Sequence, residues 1–287
     1  MAQEPSKYDP EQTSAFYDAY GGIEWDRLES SAYGRLQAII HADFLQHYVQ
    51  SGQTVLDAGA GPGRFSIQLA SLGTNVTILD RSRRQVEIAK GKVTPLVEPS
   101  RIVGLLVGDV ISLPFSSQSF DATVCFGGAL SYVCDKRWDA VQELVRVTKP
   151  RGVLLTSVMS RYGAYANFTR APFVVGIQNY MRWDLWRGIE TGDQPPVPSS
   201  KVADSSHPAM HLFASEEIKT LFTEAGCEVL EMAGSNVAAV EGNAVFDEVC
   251  ADEKAWKLAI ELERKLNKVP GLLDSGSHII VAARRLS

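Results

Sequence analysis

A glycine-rich turn that follows a carboxylate is the feature of this sequence with the clearest chemical meaning. The run VLDAGAGPG, residues 55–63, leads from an apolar strand pattern directly into a helical pattern. Glycines in such a turn allow positive φ angles and let the backbone approach a ligand closely. The helix that follows offers unpaired N–H groups. The segment therefore predicts a site for a nucleotide-like cofactor.

The spacing of the glycines distinguishes between classes of cofactor. The dinucleotide fingerprint is G-x-G-x-x-G, whereas Gly59, Gly61 and Gly63 give G-x-G-x-G. Asp57, at the end of the strand pattern, would repel a pyrophosphate and would suit a ligand that carries an amino or sulfonium cation. A nicotinamide-dependent oxidoreductase is therefore disfavoured.

Two further carboxylates follow the next two strand patterns. Asp80 ends the second pattern, and Asp109 with Val110 comes directly after the third. An acidic residue at the first position can accept hydrogen bonds from ribose hydroxyls, and open α/β sheets bind ligands at the carboxyl ends of their strands. Asp109 could accept a hydrogen bond from an exocyclic amine, with Val110 against a purine. Together with Asp57, these residues predict one cofactor cleft.

Short apolar runs and helical patterns alternate from about residue 53 to residue 159. Such alternation predicts a parallel sheet with helices on both faces, and continuous apolar strands fit a sheet that is buried on both sides. Strand patterns occur at 54–56, 76–79, 102–107, 122–125 and 153–158, and two more at 228–232 and 278–283.

The chain divides into four predicted segments. Residues 1–50 read as a helical lid, 51–159 as a Rossmann-like core, 160–213 as an inserted cap, and 214–287 as the completion of the core sheet. Within the last segment a helix is predicted from about residue 252 to residue 268. Its i, i+4 apolar stripe, Leu258, Leu262 and Leu266, predicts a face that packs on the core.

The motifs resemble those of the class I S-adenosylmethionine (SAM)-dependent methyltransferases. The resemblance is strong over about 53–159, through the glycine turn, Asp80, GDV at 108–110, LPF at 113–115, SFD at 119–121 and RVTKPRG at 146–152. It continues more loosely through HLFASEEI at 211–218 and EAGCEV at 224–229. The family implies a doubly wound, Rossmann-like α/β sheet of seven strands, the last antiparallel. The patterns outside the core add N-terminal helices and an inserted helical cap to this fold.

The resemblance also implies which residues contact SAM. The glycine turn would hold the methionine part, Asp80 the ribose, and Asp109 with Val110 the adenine. The segment that begins at Phe126 would pass beside the methionine part and the acceptor. The full set of expected cofactor contacts is Tyr17, Asp57, Gly59, Ala60, Gly61, Gly63, Asp80, Arg81, Asp109, Val110 and Phe126.

Aromatic residues outside the core predict the acceptor site. Phe16, Tyr17 and Tyr20 share a predicted N-terminal helix that would close the cleft, although docking for stability alone would give the same pattern. The inserted cap carries many aromatic residues, and an apolar pocket suits a hydrophobic or aromatic small molecule. A subunit interface is the alternative use of the cap. Expected acceptor contacts are Tyr20, Trp25, Tyr132, Trp183 and Trp186.

A proton must leave when the acceptor is a hydroxyl or a protonated amine. Histidine is the usual side chain for this task near neutral pH. His211 is the first candidate base and His207 the second, because the chain returns from the cap to the sheet at these positions. Packing at a domain junction is the simpler explanation for either residue, and many methyltransferases need no base.

Composition limits the environment and partners. The formal net charge is −6, and no apolar run has the roughly 20 residues of a membrane helix. The four cysteines form no C-x-x-C pair, so neither a disulfide framework nor a metal site is expected. We expect a cytoplasmic enzyme that binds no nucleic acid and no membrane, and a homodimer remains open.

The sequence thus predicts a SAM-dependent methyltransferase that acts on oxygen, nitrogen or carbon of a small hydrophobic or aromatic molecule. The alternatives are a methyltransferase acting on RNA or protein, and a SAM-binding protein without catalysis. Acidity and the lack of a basic, aromatic-interleaved segment count against RNA.

Overall fold

The computed structural model describes residues 6–170, 185–198, 202 and 205–287. Its main sheet has seven strands in the order β10-β11-β5-β4-β1-β2-β3. These strands are β1 (Thr54–Ala58), β2 (Asn75–Asp80), β3 (Ile102–Val107), β4 (Phe120–Cys125), β5 (Thr148–Met159), β10 (Cys227–Ser235) and β11 (His278–Arg285). The strands β1 to β5 pair in parallel, and β11 is antiparallel to both β5 and β10. The predicted seven-stranded sheet with an antiparallel last strand is confirmed.

The order of the strands places the ligand site. Strand β1 pairs with β2 on one side and with β4 on the other, so the chain changes direction across the sheet at β1. Ligands of open α/β sheets bind in the crevice that forms at such a switch point. The turns that leave β1, β2 and β4 therefore meet at one edge of the sheet.

The helices begin where the sequence supplies capping residues. Asp9, Ser31 and Ser82 each accept a hydrogen bond from a first-turn backbone N–H. No helix of the described residues is long and apolar enough to cross a membrane. The helices are α1 (Pro10–Tyr20), α2 (Gly22–Asp26), α3 (Ala32–Tyr48), α4 (Arg64–Ser71), α5 (Arg83–Val93), α6 (Ala129–Tyr132), α7 (Arg137–Val147), α8 (Arg161–Arg170), α9 (Leu185–Thr191), α10 (Ser215–Glu224), α11 (Ala244–Val249) and α12 (Glu253–Leu266).

Both faces of the sheet are covered by apolar side chains. Successive strand residues point to opposite faces, so Val55 packs on the face covered by α3, α4 and α5, whereas Leu56 packs on the face covered by α7 and α10. Both residues have no exposed surface. Two buried faces explain why the parallel strands read as continuous apolar runs.

The segment after β5 forms small elements above the edge of the sheet. Four strands of two residues, β6 (Asp193–Gln194), β7 (Val197–Pro198), β8 (Ser206–His207) and β9 (Met210–His211), pair as β6 with β9 and β7 with β8. Phe213 then pairs with Ser160 at the end of β5, which brings the chain back to the sheet. The four predicted segment boundaries stay predictions.

Helix α12 presents a different face to the core from the one that its leucines predict. Leu258 and Leu262 are 66% and 48% exposed, whereas Glu263 is fully buried. The Glu263 carboxylate accepts hydrogen bonds from the backbone N–H groups of Val237 and Ala238, both at 2.9 Å. The predicted core stripe is wrong. The buried N–H groups of the loop after β10 require an acceptor, and α12 is oriented so that Glu263, not the leucines, faces the interior.

We expect Glu263→Ala to lower the free energy of unfolding by about 1–3 kcal/mol, because two backbone donors lose a charged acceptor. Leu262→Ala, one position earlier on the same helix, should stay within about 0.5 kcal/mol of the wild type, since its side chain is half exposed. Urea unfolding of both variants measures the difference. Equal losses would contradict this orientation of the helix.

Candidate functional site

A cleft of about 900 Å³, open mouth included, lies at the carboxyl ends of β1, β2 and β4. The N-terminal segment, with α1 and α2, lies across it. Residues from the glycine turn, from the ends of β2 and β3, and from the turn after β4 line one side, and N-terminal residues line the other. The cofactor contacts expected from sequence that line the cleft are Tyr17, Gly59, Ala60, Gly61, Asp80, Arg81, Asp109, Val110 and Phe126.

The glycine turn passes close to the elements around it. Gly59 and Gly61 have φ angles of 69° and 54°, which glycine adopts without strain. A Cβ on Gly59 would lie 2.5 Å from the Cβ of Ala129, so no larger residue fits. Gly63 does not line the cleft; a Cβ there would lie 2.5 Å from a methyl group of Val93, so this glycine serves the packing of α4 on α5.

Asp80 stands at the centre of the cleft wall. Its carboxylate accepts hydrogen bonds from the backbone N–H of Gly61 at 2.7 Å and from that of Ser82 at 2.8 Å. Burial raises the pKa of this carboxyl to about 6, although both hydrogen bonds favour its ionised form. The carboxylate oxygens have further lone pairs, so Asp80 can still accept hydrogen bonds from a ligand.

Asp57 lies behind the turn and does not line the cleft. It is 1% exposed, and its carboxylate accepts a hydrogen bond from the Ser66 hydroxyl at 2.6 Å. Burial raises the pKa of the Asp57 carboxyl to about 7. Its predicted contact with a cationic ligand therefore stays a prediction, and the geometry favours a role in shaping the turn.

Asp109 is held by two donors at the end of the cleft beside β3. The Tyr8 hydroxyl donates to Asp109 Oδ2 at 2.8 Å, and Arg81 Nη1 lies 2.5 Å from the same oxygen. Arg81 Nε also donates to the carbonyl of Pro10. Nothing in the sequence indicates Tyr8, because no local pattern shows that the irregular segment before α1 crosses the cleft at this point.

Aromatic side chains form the other end of the cleft. The rings of Tyr17 and Tyr132 meet edge to face with centroids 5.6 Å apart, and their hydroxyls are hydrogen-bonded. Phe126 packs at 5.2 Å against Phe65, which also lines the cleft. Tyr132 further belongs to an apolar cluster with Tyr165, Met210 and Leu212. Residues of the inserted segment thus support this aromatic wall.

His207 contacts the aromatic wall directly. Its Nδ1 lies 3.1 Å from the carbonyl oxygen of Pro208, which can only accept, so Nδ1 carries the hydrogen. Its Nε2 is then the acceptor in the hydrogen bond with the Tyr132 hydroxyl, at 3.2 Å. The imidazole is therefore oriented with a basic nitrogen toward a residue that lines the cleft.

His211 has a different environment. It is 1% exposed and does not line the cleft, and its Nδ1 and Nε2 lie 2.8 Å and 2.6 Å from carboxylate oxygens of Asp193 and Glu217. Arg161 also pairs with Glu217. Since both ring nitrogens are engaged, the geometry favours a role in joining β6 to α10, and the predicted catalytic role stays a prediction.

The remaining acceptor contacts expected from sequence do not line the cleft or cannot be placed. Tyr20 is 5% exposed and stacks on Phe16 at 5.5 Å. Trp25 lies beneath the guanidinium of Arg64, 4.0 Å from the ring centroid. Trp183 lies outside the described residues, and Trp186 belongs to α9 but its side chain is not among those described. These four assignments stay predictions.

Two charged residues, one in α2 and one just after it, line the cleft without any signal in the sequence. Glu24 and Arg27 form an ion pair, with Arg27 Nε 3.0 Å from both carboxylate oxygens and Nη2 2.8 Å from Oε1. They lie on the last turn of a short lid helix and at its C-cap, where an i, i+3 charge pair usually belongs to a solvent-exposed surface. Only the placement of α2 over the glycine turn shows that they belong to the site.

Comparison with known proteins agrees with this geometry. Residues 56–156 match the methyltransferase domain family. A malonyl-acyl-carrier-protein O-methyltransferase of Erwinia billingiae is 38% identical over 112 residues, which are 39% of this chain and 41% of the relative. A demethylmenaquinone methyltransferase of Paenarthrobacter aurescens is 31% identical over 173 residues, 60% of this chain and 57% of the relative. The chain thus spans about half the length of these curated relatives.

Solved structures share the whole architecture at low identity. That of the cyclase SpnF gives a TM-score of 0.60 at 17% identity and covers 99% of this chain and 99% of that chain. This likeness shows the fold alone. Other structures with the same fold, at 18% identity, are SAM-dependent methyltransferases. Residues 56–156 thus form a methyltransferase domain, and the chain is similar to SAM-dependent methyltransferases, whose cofactor is S-adenosylmethionine.

Proposed function

We propose that this protein transfers the methyl group of SAM to a small molecule that is hydrophobic or aromatic near the methylated atom. The observation that carries the proposal is the continuity of one cleft. The glycine turn and Asp80 line its cofactor end, and Tyr17 and Tyr132 line its aromatic end, both beneath the same N-terminal helices.

The cofactor end has the groups that SAM requires. SAM supplies an electrophilic methyl group on its sulfonium when it is bound. Asp80 is the acceptor for the ribose hydroxyls, because its carboxylate lines the cleft at the end of β2 with lone pairs remaining. Asp109 and Val110 lie at the end of β3, where an adenine would meet a carboxylate and an apolar side chain. Gly59 packs closely against Ala129 of α6, and neither Gly59 nor Gly61 has a side chain that would occupy the cleft.

The aromatic end supports the class of acceptor. Tyr17, Tyr132 and Val133 line it, and Met210 and Leu212 of the inserted segment pack behind Tyr132. Such a wall favours an apolar molecule with few polar groups. The names of the two relatives describe acceptors that differ widely from each other, so they support methyl transfer without indicating one acceptor. The inserted segment, 160–213, lies outside the residues that match the domain family.

Tyr132 and His207 provide a path for a proton. Burial raises the pKa of the Tyr132 hydroxyl to about 12, so this phenol stays protonated and acts as a relay, not as the base. As the acceptor oxygen gains the methyl group, its proton passes to Tyr132 Oη while the phenol proton moves to His207 Nε2. The imidazolium then loses its proton to water. We assign the base to His207 in preference to His211, whose nitrogens both meet carboxylates.

Methyl transfer from labelled SAM to a panel of phenols, hydroxyquinones, carboxylic acids and amines tests the proposal. With the acceptor that is methylated, Tyr132→Phe and His207→Gln should each lower turnover by about 10²–10⁴-fold. Affinity for S-adenosylhomocysteine (SAH) should stay within about twofold. With SAM saturating at every pH, so that the titration of Asp80 does not limit binding, His207→Gln should also remove the fall in turnover at acidic pH. His47→Gln, an exposed histidine on α3, is the matched control and should behave like the wild type.

Two outcomes would overturn parts of this proposal. Binding of SAH without methylation of any acceptor in the panel would favour a SAM-binding protein without this activity. Full turnover by His207→Gln, with an unchanged acidic limb, would show that the proton leaves without the help of His207.

The pKa of Asp80 predicts how cofactor affinity depends on pH. The ionised carboxylate is the better acceptor, so affinity for SAH should be full above about pH 7 and fall as the pH drops through about 6. The loss should be about tenfold between pH 7.5 and pH 5. Calorimetric titration across this range measures it.

Two variants assign this profile to Asp80. Asp80→Asn should weaken binding and flatten the profile, because the amide does not titrate. Asp57→Asn removes the neighbouring carboxyl that does not line the cleft, and it should keep the midpoint near pH 6. A flat wild-type profile, or a midpoint that persists in Asp80→Asn, would contradict the role of Asp80.

A further inference from the structure

We propose that Glu24 and Arg27 form the subsite for the amino-acid end of the cofactor, Glu24 binding its ammonium group and Arg27 its carboxylate. The inference rests on the proposed use of SAM and assigns a role to two lid residues that no sequence motif marks. It concerns binding, so it can be tested apart from methyl transfer.

The position of the pair supports this role. Both side chains line the cleft, and the Glu24 side chain is 16% and the Arg27 side chain 27% exposed. Glu24 Cγ lies 3.8 Å from the point where a Cβ of Gly61 would be, so this side chain lies directly over the glycine turn. Leu28, the next residue, also lines the cleft. The start of the lid thus brings one anion and one cation to the turn.

The charges of the pair match those of the ligand. The amino-acid end of SAM carries one ammonium and one carboxylate, and Glu24 and Arg27 carry the complementary charges. Burial lowers the pKa of the Arg27 guanidinium, but the adjacent Glu24 carboxylate raises it above its ordinary value, so the cation persists. Without ligand the two groups satisfy each other, since a buried unpaired charge is costly. With ligand, each exchanges its partner for a matched group and neither charge is left alone.

Other charged groups of the cleft are already committed elsewhere. Asp57 lies behind the turn, bonded to Ser66. The Arg81 and Asp109 pair lies beside β3, at the opposite end from the turn after β4. Arg64 donates to the carbonyl of Trp25 and pairs with Glu29. Asp80 also meets the glycine turn but is the acceptor proposed for the ribose. Among the described cleft residues, Glu24 and Arg27 therefore remain as the charges near the turn that a zwitterion can engage.

The consequence is a link between the cofactor and the lid. Helix α2 follows α1, which crosses the cleft and carries Tyr17 of the aromatic wall. An amino-acid end held by Glu24 and Arg27 would draw this segment onto the cofactor. Adenosine without that end would engage the sheet side of the cleft and leave the lid pair closed on itself.

Two ligands separate these contacts. SAH carries the amino-acid end, whereas 5′-methylthioadenosine shares the adenosine and thioether but lacks it. We expect Arg27→Met and Glu24→Gln each to weaken SAH binding on the order of 10- to 100-fold, the range for lost hydrogen bonds to charged groups. Affinity for 5′-methylthioadenosine should stay within about twofold. Calorimetric titration and thermal shift with both ligands give the measurement.

Controls keep the test decisive. Arg264→Met breaks another bidentate ion pair, with Asp43 at 2.7 Å on the surface, and should leave both affinities unchanged. If Arg27→Met does not fold, Arg27→Lys keeps the charge but loses the planar pair of donors, and it should still weaken SAH selectively. Equal weakening of both ligands, or wild-type SAH binding by either Arg27→Met or Glu24→Gln, would overturn the proposal. Selective loss of SAH binding would support the subsite even if no acceptor in the panel were methylated.

Discussion

The carboxylate of Asp80 holds together the elements that make the cleft. It accepts hydrogen bonds from the N–H of Gly61 in the turn after β1 and from the N–H of Ser82 at the start of α5, so the turns that leave β1 and β2 are joined at one side chain. Each of these bonds fixes the position of a backbone segment that borders the cleft. The cost is a buried acid whose pKa is raised. Burial also raises the pKa of the neighbouring Asp57 carboxyl, which lies behind the glycine turn.

The two ends of the cleft differ in origin. The cofactor end is made by turns between strands of one continuous unit, and these turns are fixed by the sheet. The aromatic end combines Tyr17 from α1, Tyr132 from α6 and the support of β9 and α8, which are distant in sequence. Packing between distant segments, not local geometry, therefore decides the shape of the end that would select the acceptor.

The sheet and most of the cofactor end could be predicted because their signals are local. Apolar runs predict strands, and the positions of Asp80 and Asp109 after those runs predict the edge where they meet. The errors and omissions arise where distant packing decides. Leu258 and Leu262 have the spacing of a core stripe, yet the backbone of the loop after β10 requires Glu263 instead. Glu24, Arg27 and Tyr8 belong to the cleft only because the N-terminal segment folds over it.

The fastening of the N-terminal helices has a kinetic consequence. Asp18 accepts hydrogen bonds from the Ser82 hydroxyl and from the N–H of Arg84, and Gln85 donates to the carbonyls of Tyr17 and Gly21. These bonds join α1 to the start of α5, the helix that follows Asp80. In the proposed reaction, a product nucleoside that leaves past α1 would have to break some of these bonds. Lid opening of this kind takes microseconds to milliseconds and limits turnover in many enzymes. Release of the demethylated cofactor, and not methyl transfer itself, would then be the rate-limiting step of the catalytic cycle.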